Sequence, residues 1–179
     1  EFACIDLVGK FFGIRACDLL GGAVREEIPF ASYLFFRHKD KKSGLGGEST
    51  PEQIVNHAKD ISNKHGFKSH KLKCGVFSPN HDIEVYKALA HEFPDASFRL
   101  DPNSVWSVEE SIRVGKAIEH LNNDYFEDPT FGLEGMRRVK QFVRIPTATN
   151  TVVINFEQLA SNIRTDSVEI GRASCRERV

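Results

Sequence analysis

The sequence predicts an α/β fold in which strand–helix units repeat along the chain and lie side by side as a parallel sheet. Two observations carry that expectation. Short apolar runs of strand length alternate with amphipathic stretches of about 10–15 residues. In addition, four successive strands end near a polar or charged residue, at Lys73, Asp101, Glu127 and Asn150, with separations of 28, 26 and 23 residues. Such spacing fits either a doubly wound sheet or a (β/α)8 barrel. A barrel needs about 250 residues. Residues 28–168 supply 141, so a barrel here would be incomplete, with five βα units.

The elements follow in order. Ile5, Val8, Phe11, Phe12, Ala16, Leu19 and Leu20 recur at helical spacing, and Gly21-Gly22 ends that run. Residues 28–36 read as a buried strand and residues 37–49 as a polar, glycine-rich loop. Thr50 then offers an N-cap and Pro51 a first helical residue for a helix to about His65. Strands are expected at residues 70–74, 97–100, 124–127 and 146–149. The helices between and after them are expected at residues 82–92, 108–120, 133–143 and 156–163. Ser107 with Glu110, and Asn155 with Gln158, stand in capping-box positions.

Composition removes several function classes. With 179 residues, 40% of them hydrophobic, and a net charge of −1, the chain is too apolar for disorder and too balanced for an electrostatic nucleic-acid binder. No apolar run is long enough to span a membrane. The four cysteines are too widely and irregularly spaced for a disulfide framework or a zinc site. A cytoplasmic location is the expectation. Residues 169–179, EIGRASCRERV, follow no hydrophobic period. With suitable codons they back-translate in frame to a common short-read sequencing adapter, so this tail is expected to be non-native.

The chemistry concentrates at the strand ends. Lys71 and Lys73 are two apart in a strand and so share one face. They read either as a pair reaching for solvent or as a desolvated lysine base beside a second cation that lowers its pKa. Asp101 and Glu127 are followed by Pro-containing turns, and each alone could be a turn former, as could Asn150. Together they place an oxygen ligand at the carboxyl end of three consecutive strands, where barrels and open sheets keep their sites. Two carboxylates and an amide carbonyl form a partial octahedral shell for Mg²⁺. The segment Gly44-Leu45-Gly46-Gly47 lacks the last glycine of a dinucleotide loop, the charge run at residues 38–42 reads as solvated, and Trp106 reads as loop packing.

Lys71-Leu72-Lys73, Leu100-Asp101-Pro102-Asn103, Phe126-Glu127-Asp128-Pro129 and Ala148-Thr149-Asn150 form an ordered set on successive strands. With Leu19-Leu20-Gly21-Gly22 and the strand at residues 29–36, the set resembles the enolase superfamily in its mandelate racemase-like branch. Within that branch it is most similar to the dehydratases of D-glucarate and L-idarate. The resemblance implies a (β/α)8 TIM-type barrel with Asp101, Glu127 and Asn150 as Mg²⁺ ligands. It implies Lys73 as the proton-abstracting base, and Lys71 as a neighbour that contacts substrate and lowers the pKa of the base. Tyr33, Asn103 and Asn150 would line the substrate. The implied reaction removes the proton α to a metal-bound carboxylate, passes through an enediolate, and expels the β-hydroxyl to give 5-keto-4-deoxy-D-glucarate. The implied parent is a homo-oligomeric enzyme acting on a small sugar diacid.

On this reading residues 1–27 are the last part of an N-terminal capping region and residues 28–168 a partial barrel. The capping domain and the later strands, with their histidine–aspartate acid/base pair, would be missing. A barrel open on two edges exposes its inner face. The chain as written is therefore expected to be prone to aggregation and inactive as a dehydratase. Another acid-sugar dehydratase or racemase of the superfamily, or a non-catalytic paralogue, remains as the alternative.

Overall fold

The computed structural model describes residues 1–171. The amphipathic N-terminal run forms two helices, α1 (Phe2–Phe12) and α2 (Ala16–Leu19), where the pattern predicted one. Gly13 separates them: it takes a left-handed conformation (φ 67°, ψ 29°) and its N–H closes the last turn on the Gly9 carbonyl. Many apolar residues of this segment, including Phe2, Leu7, Phe11 and Phe12, are exposed.

Strand β1 (Ser32–Phe35) is shorter than the apolar run that predicted it. Pro29 supplies no N–H for a ladder, and pairing with the neighbouring strand begins at Ser32. There follow α3 (Pro51–His65), β2 (Ser69–Lys73), α4 (Pro79–Glu92), β3 (Ser97–Asp101) and α5 (Val108–Ile118). The described chain ends with β4 (Asn123–Glu127), α6 (Leu133–Phe142), β5 (Thr147–Thr149), α7 (Phe156–Thr165) and β6 (Ile170–Gly171). The capping boxes Thr50/Gln53 and Ser107/Glu110 are formed in full. At α7, Asn155 accepts from the Gln158 N–H. Helix α4 starts earlier than its apolar pattern indicates, because Ser78 caps it and Pro79 opens it.

The sheet is wholly parallel and its strands lie in chain order, β1 to β6. A doubly wound sheet reverses its strand order at a switch point; here no reversal occurs, and each helix from α3 to α7 packs against the next. That is barrel-type winding. It contains the five expected βα units followed by a sixth strand. Strand β6 falls in the segment expected to be non-native: Ile170 pairs with Ala148, and Glu169 accepts from the Thr147 N–H at 2.8 Å. The rest of that tail lies outside the described residues.

Alternation along the strands divides the sheet into two faces. Leu34, His70, Leu72, Phe98, Leu100 and Phe126 point to the helices and are buried with Ile54, Val85, Leu89, Val114, Ile118 and Val139. Trp106 is buried in the same core, edge-on to Phe126, as the loop-packing reading anticipates. The intervening residues Tyr33, Lys71, Arg99 and Tyr125 share the other face, as do Phe35, Lys73 and Asp101 one pleat further on.

Candidate active site

The carboxyl ends of β2, β3, β4 and β5 bring their polar residues into one cluster. Parallel register sets Lys73 beside Asp101 and Glu127 beside Ala148, so the charged side chains at these ends converge on the face away from the helices. Lys71 Nζ lies 2.7 Å from Asp101 Oδ2 and 2.5 Å from Glu127 Oε2. Lys73 Nζ lies 2.6 Å from the same Asp101 oxygen and donates to Asn103 Oδ1 at 2.9 Å. Asn150 donates through Nδ2 to Glu127 Oε1 at 3.0 Å. Tyr33 presents its ring 5.2 Å from the Lys71 ammonium. All seven residues singled out from the sequence are thus in one neighbourhood.

Burial distinguishes the two lysines. The Lys71 side chain is 9% exposed and sits between two carboxylates, whereas that of Lys73 is 22% exposed and nearer the opening. Burial pulls the Lys71 ammonium down, but hydrogen bonds and charge from Asp101 and Glu127 outweigh it and hold its pKa above the usual lysine value. Neither lysine reaches solvent alone; both are tied to Asp101.

The donor chemistry suits Mg²⁺. Carboxylate and amide oxygens are hard ligands, and these carboxylates already draw two cationic groups to within 2.7 Å. Asn150 would present Oδ1 to a cation after a half-turn of its amide. Among the described residues no cluster of three or more His, Cys, Asp or Glu side chains could hold a metal. The set here has two acids and takes its third donor from an amide.

The surrounding loops hold groups that the sequence pattern did not single out as functional. Asp128 is fully buried, with φ 40°, and its side chain contacts the loop that carries Asn150. Asp82, in the first turn of α4, is fully buried and accepts the Gly75 N–H at 2.9 Å. Gly75 needs its glycine twice over: φ is 85°, and a Cβ would come within 2.5 Å of Val105. This fixes the segment after Lys73 against the loop that follows Asp101. Burial pushes the Asp82 carboxyl up to about 6, against the pull of the Gly75 N–H and the His81 charge. In sequence, Asp128-Pro129 resembles an ordinary turn and Asp82 an ordinary helix start. Their partners are remote or backbone groups, so no local signal marks them.

A polar cluster at the carboxyl ends of parallel, chain-ordered strands is where barrel enzymes keep their catalytic groups. Residues 53–175 match the family described as enolase C-terminal domain-like, and the chain belongs to that family. A probable glucarate dehydratase of Streptomyces coelicolor is 36% identical over 177 residues, covering 95% of this chain and 41% of the relative. An N-succinyl-L-Arg/Lys racemase of Bacillus cereus is 24% identical over 150 residues, covering 82% and 37%. Among solved structures, an enolase of Gibberella zeae complexed with magnesium, formate and sulfate has a TM-score of 0.86 at 40% identity, covering 96% of this chain and 41% of that one. An enolase of Pseudomonas fluorescens with bound magnesium, potassium and tartrate has a TM-score of 0.85 at 39% identity, covering 93% and 40%. The chain thus spans about two fifths of the length of the curated relatives it matches.

Proposed function

We propose that this chain carries the metal-and-base part of an acid-sugar dehydratase site, of the kind that acts on D-glucarate or L-idarate. The observation that carries this reading is the convergence of Lys71 and Lys73 from one strand on Asp101, Glu127 and Asn150 from the next three. Asp101, Glu127 and Asn150 would hold Mg²⁺. When bound, the metal supplies a Lewis acid for a substrate carboxylate and so makes the adjacent C–H more acidic.

The remaining work falls to the protein. Lys73, nearer the opening and steered by Asn103, takes the α-proton onto Nζ. Lys71, buried against two acids, stays charged and offers a fixed positive site for the substrate carboxylate. Tyr33 stands over Lys71 at the edge of the substrate space. Loss of the β-hydroxyl as water then yields a keto-deoxy diacid. The relative described as a probable glucarate dehydratase, and tartrate in a similar structure, support a hydroxylated diacid as substrate.

The test is a hybrid enzyme in which residues 28–168 replace the matching stretch of the Streptomyces coelicolor relative. With D-glucarate and Mg²⁺ it should release a keto-deoxy diacid, and Lys73→Met should lower kcat by about 10²–10⁴-fold. A folded hybrid that exchanges the α-proton without losing water would favour the racemase-like alternative. No reaction at all would remove the reading. The 179-residue chain alone is expected to give no turnover.

A further inference from the structure

We infer that Asp128 is a positioning residue for the metal site: its buried carboxylate clasps the loop carrying Asn150, and its backbone ties that loop to the one carrying Asn103. The inference rests on the reading of Asp101, Glu127 and Asn150 as ligands, and goes beyond it. Asp128 follows Glu127 directly, yet the lysines pair with Asp101 and Glu127 and not with it. Among the described residues it has no ion pair. Its carboxylate is met instead by three donors from one short segment. Thr149 donates its hydroxyl to Oδ1 at 2.5 Å, Thr151 donates its hydroxyl to the same oxygen at 2.7 Å, and the Asn150 N–H donates to Oδ2 at 3.2 Å.

The Thr149 hydroxyl extends the clasp. It accepts the N–H groups of Thr151 and Val152 at 3.1 and 3.0 Å. Every residue from Thr149 to Val152 is therefore tied, directly or through one hydroxyl, to a single carboxylate, and the Asn150 side chain is left free to face Glu127. The backbone of Asp128 completes the link. Its N–H donates to the Ala148 carbonyl at 2.9 Å, and its carbonyl accepts the Ser104 N–H at 2.7 Å. Asn103 and Ser104 both have left-handed φ, 61° and 64°, and Asp128 has 40°. Asn and Asp accept such angles more readily than other non-glycine residues, and Ser104 is held there by its N–H bond to the Asp128 carbonyl. Partners that orient metal ligands without touching the metal have a typical signature: their loss weakens affinity by about 10–100-fold.

The experiment uses the full 179-residue chain with Mn²⁺ as the probe, free Mn²⁺ being read by electron paramagnetic resonance. Circular dichroism checks each variant for folding. Asp101→Asn tests the ligand reading and should abolish binding. Asp128→Asn, which keeps the shape but replaces an acceptor by a donor, should weaken Mn²⁺ by about 10–100-fold. Thr149→Val should act in the same direction with less risk to the fold. Amide exchange supplies a readout that needs no metal: Asn150, Thr151 and Val152 should exchange at least about tenfold faster in both variants, with β2 unchanged. If the parent chain fails to bind Mn²⁺, or Asp101→Asn leaves binding intact, the ligand reading falls and the exchange data alone decide the clasp. Unchanged exchange at these three amides, or Mn²⁺ affinity equal to the parent in both variants while Asp101→Asn abolishes it, overturns the inference.

Discussion

The two faces of the sheet use the same strands for opposite purposes. On the helix side, Leu72, Phe98, Leu100 and Phe126 are all at most 1% exposed and pack in the apolar core, Phe98 also against the His70 ring. On the other side, one residue along, Tyr33 and Phe35 are 46% and 38% exposed and charged groups occupy the strand ends. One face is close-packed and holds the elements in place. The other gathers like and unlike charges that would be costly anywhere without partners. A single-residue shift in strand register would exchange the two sets, which is why the register at Lys73 and Asp101 matters more than the length of any strand.

The contrast breaks most visibly by truncation. Phe98→Ala should cost about 3–5 kcal/mol in denaturant unfolding, because a fully packed ring leaves a cavity. Phe35→Ala, on the open face, should cost less than about 1 kcal/mol. Equal losses would mean that the second face is also a packed core in solution.

Next in size is Lys71→Met, which leaves Asp101 and Glu127 with one cation fewer in a buried setting. It should destabilise the chain by about 3 kcal/mol. Millimolar Mg²⁺ should recover part of that loss in thermal melts, since a metal replaces the missing charge. A loss that Mg²⁺ leaves untouched would separate the lysine cluster from the metal site.

Asp82 extends the comparison to pH. Its folded carboxyl is raised from 3.8 to about 6, so the folded state holds a proton that the unfolded chain has released. Stability from this group is present at low pH and is lost as pH rises from about 4 to about 6. The total is at most about 3 kcal/mol. His70, pulled down by burial, acts in the opposite direction: its contribution is lost as pH falls through the ordinary histidine value. Subtracting the Asp82→Asn curve from that of the parent isolates the aspartate, and the difference should grow across that window in favour of the variant. A flat difference would place Asp82 in contact with water.

The smallest effect belongs to the caps. Thr50→Ala removes the hydroxyl that accepts from Gln53 and should cost about 1 kcal/mol, with no change in Mn²⁺ affinity.

Much of this architecture is written locally. Strand ends at Lys73, Asp101, Glu127 and Asn150 are legible because each closes a short strand-length run, and Pro turns follow directly after Asp101 and Glu127. The N-cap at Thr50 and the capping box at Ser107 are legible because their signals lie within three residues, whereas the Gln53 half of the Thr50 box emerges only in the structure. The first helix misled because Gly13 interrupts a pattern whose apolar period continues through it. Helix α4 begins early because a Ser-Pro pair outweighs the hydrophobic pattern there. Asp128 was invisible as a hub because its partners Thr149 and Thr151 lie 21 and 23 residues away, and only the parallel pairing of β4 with β5 brings them near.

The most direct test of the proposed base chemistry is proton NMR of D-glucarate in D₂O with Mg²⁺ and the hybrid carrying residues 28–168. An α-proton signal should be lost with the intact hybrid, with no loss above background after Lys73→Met. An undiminished signal with a folded, Mg²⁺-binding hybrid, or exchange that survives Lys73→Met, would contradict the proposed base chemistry.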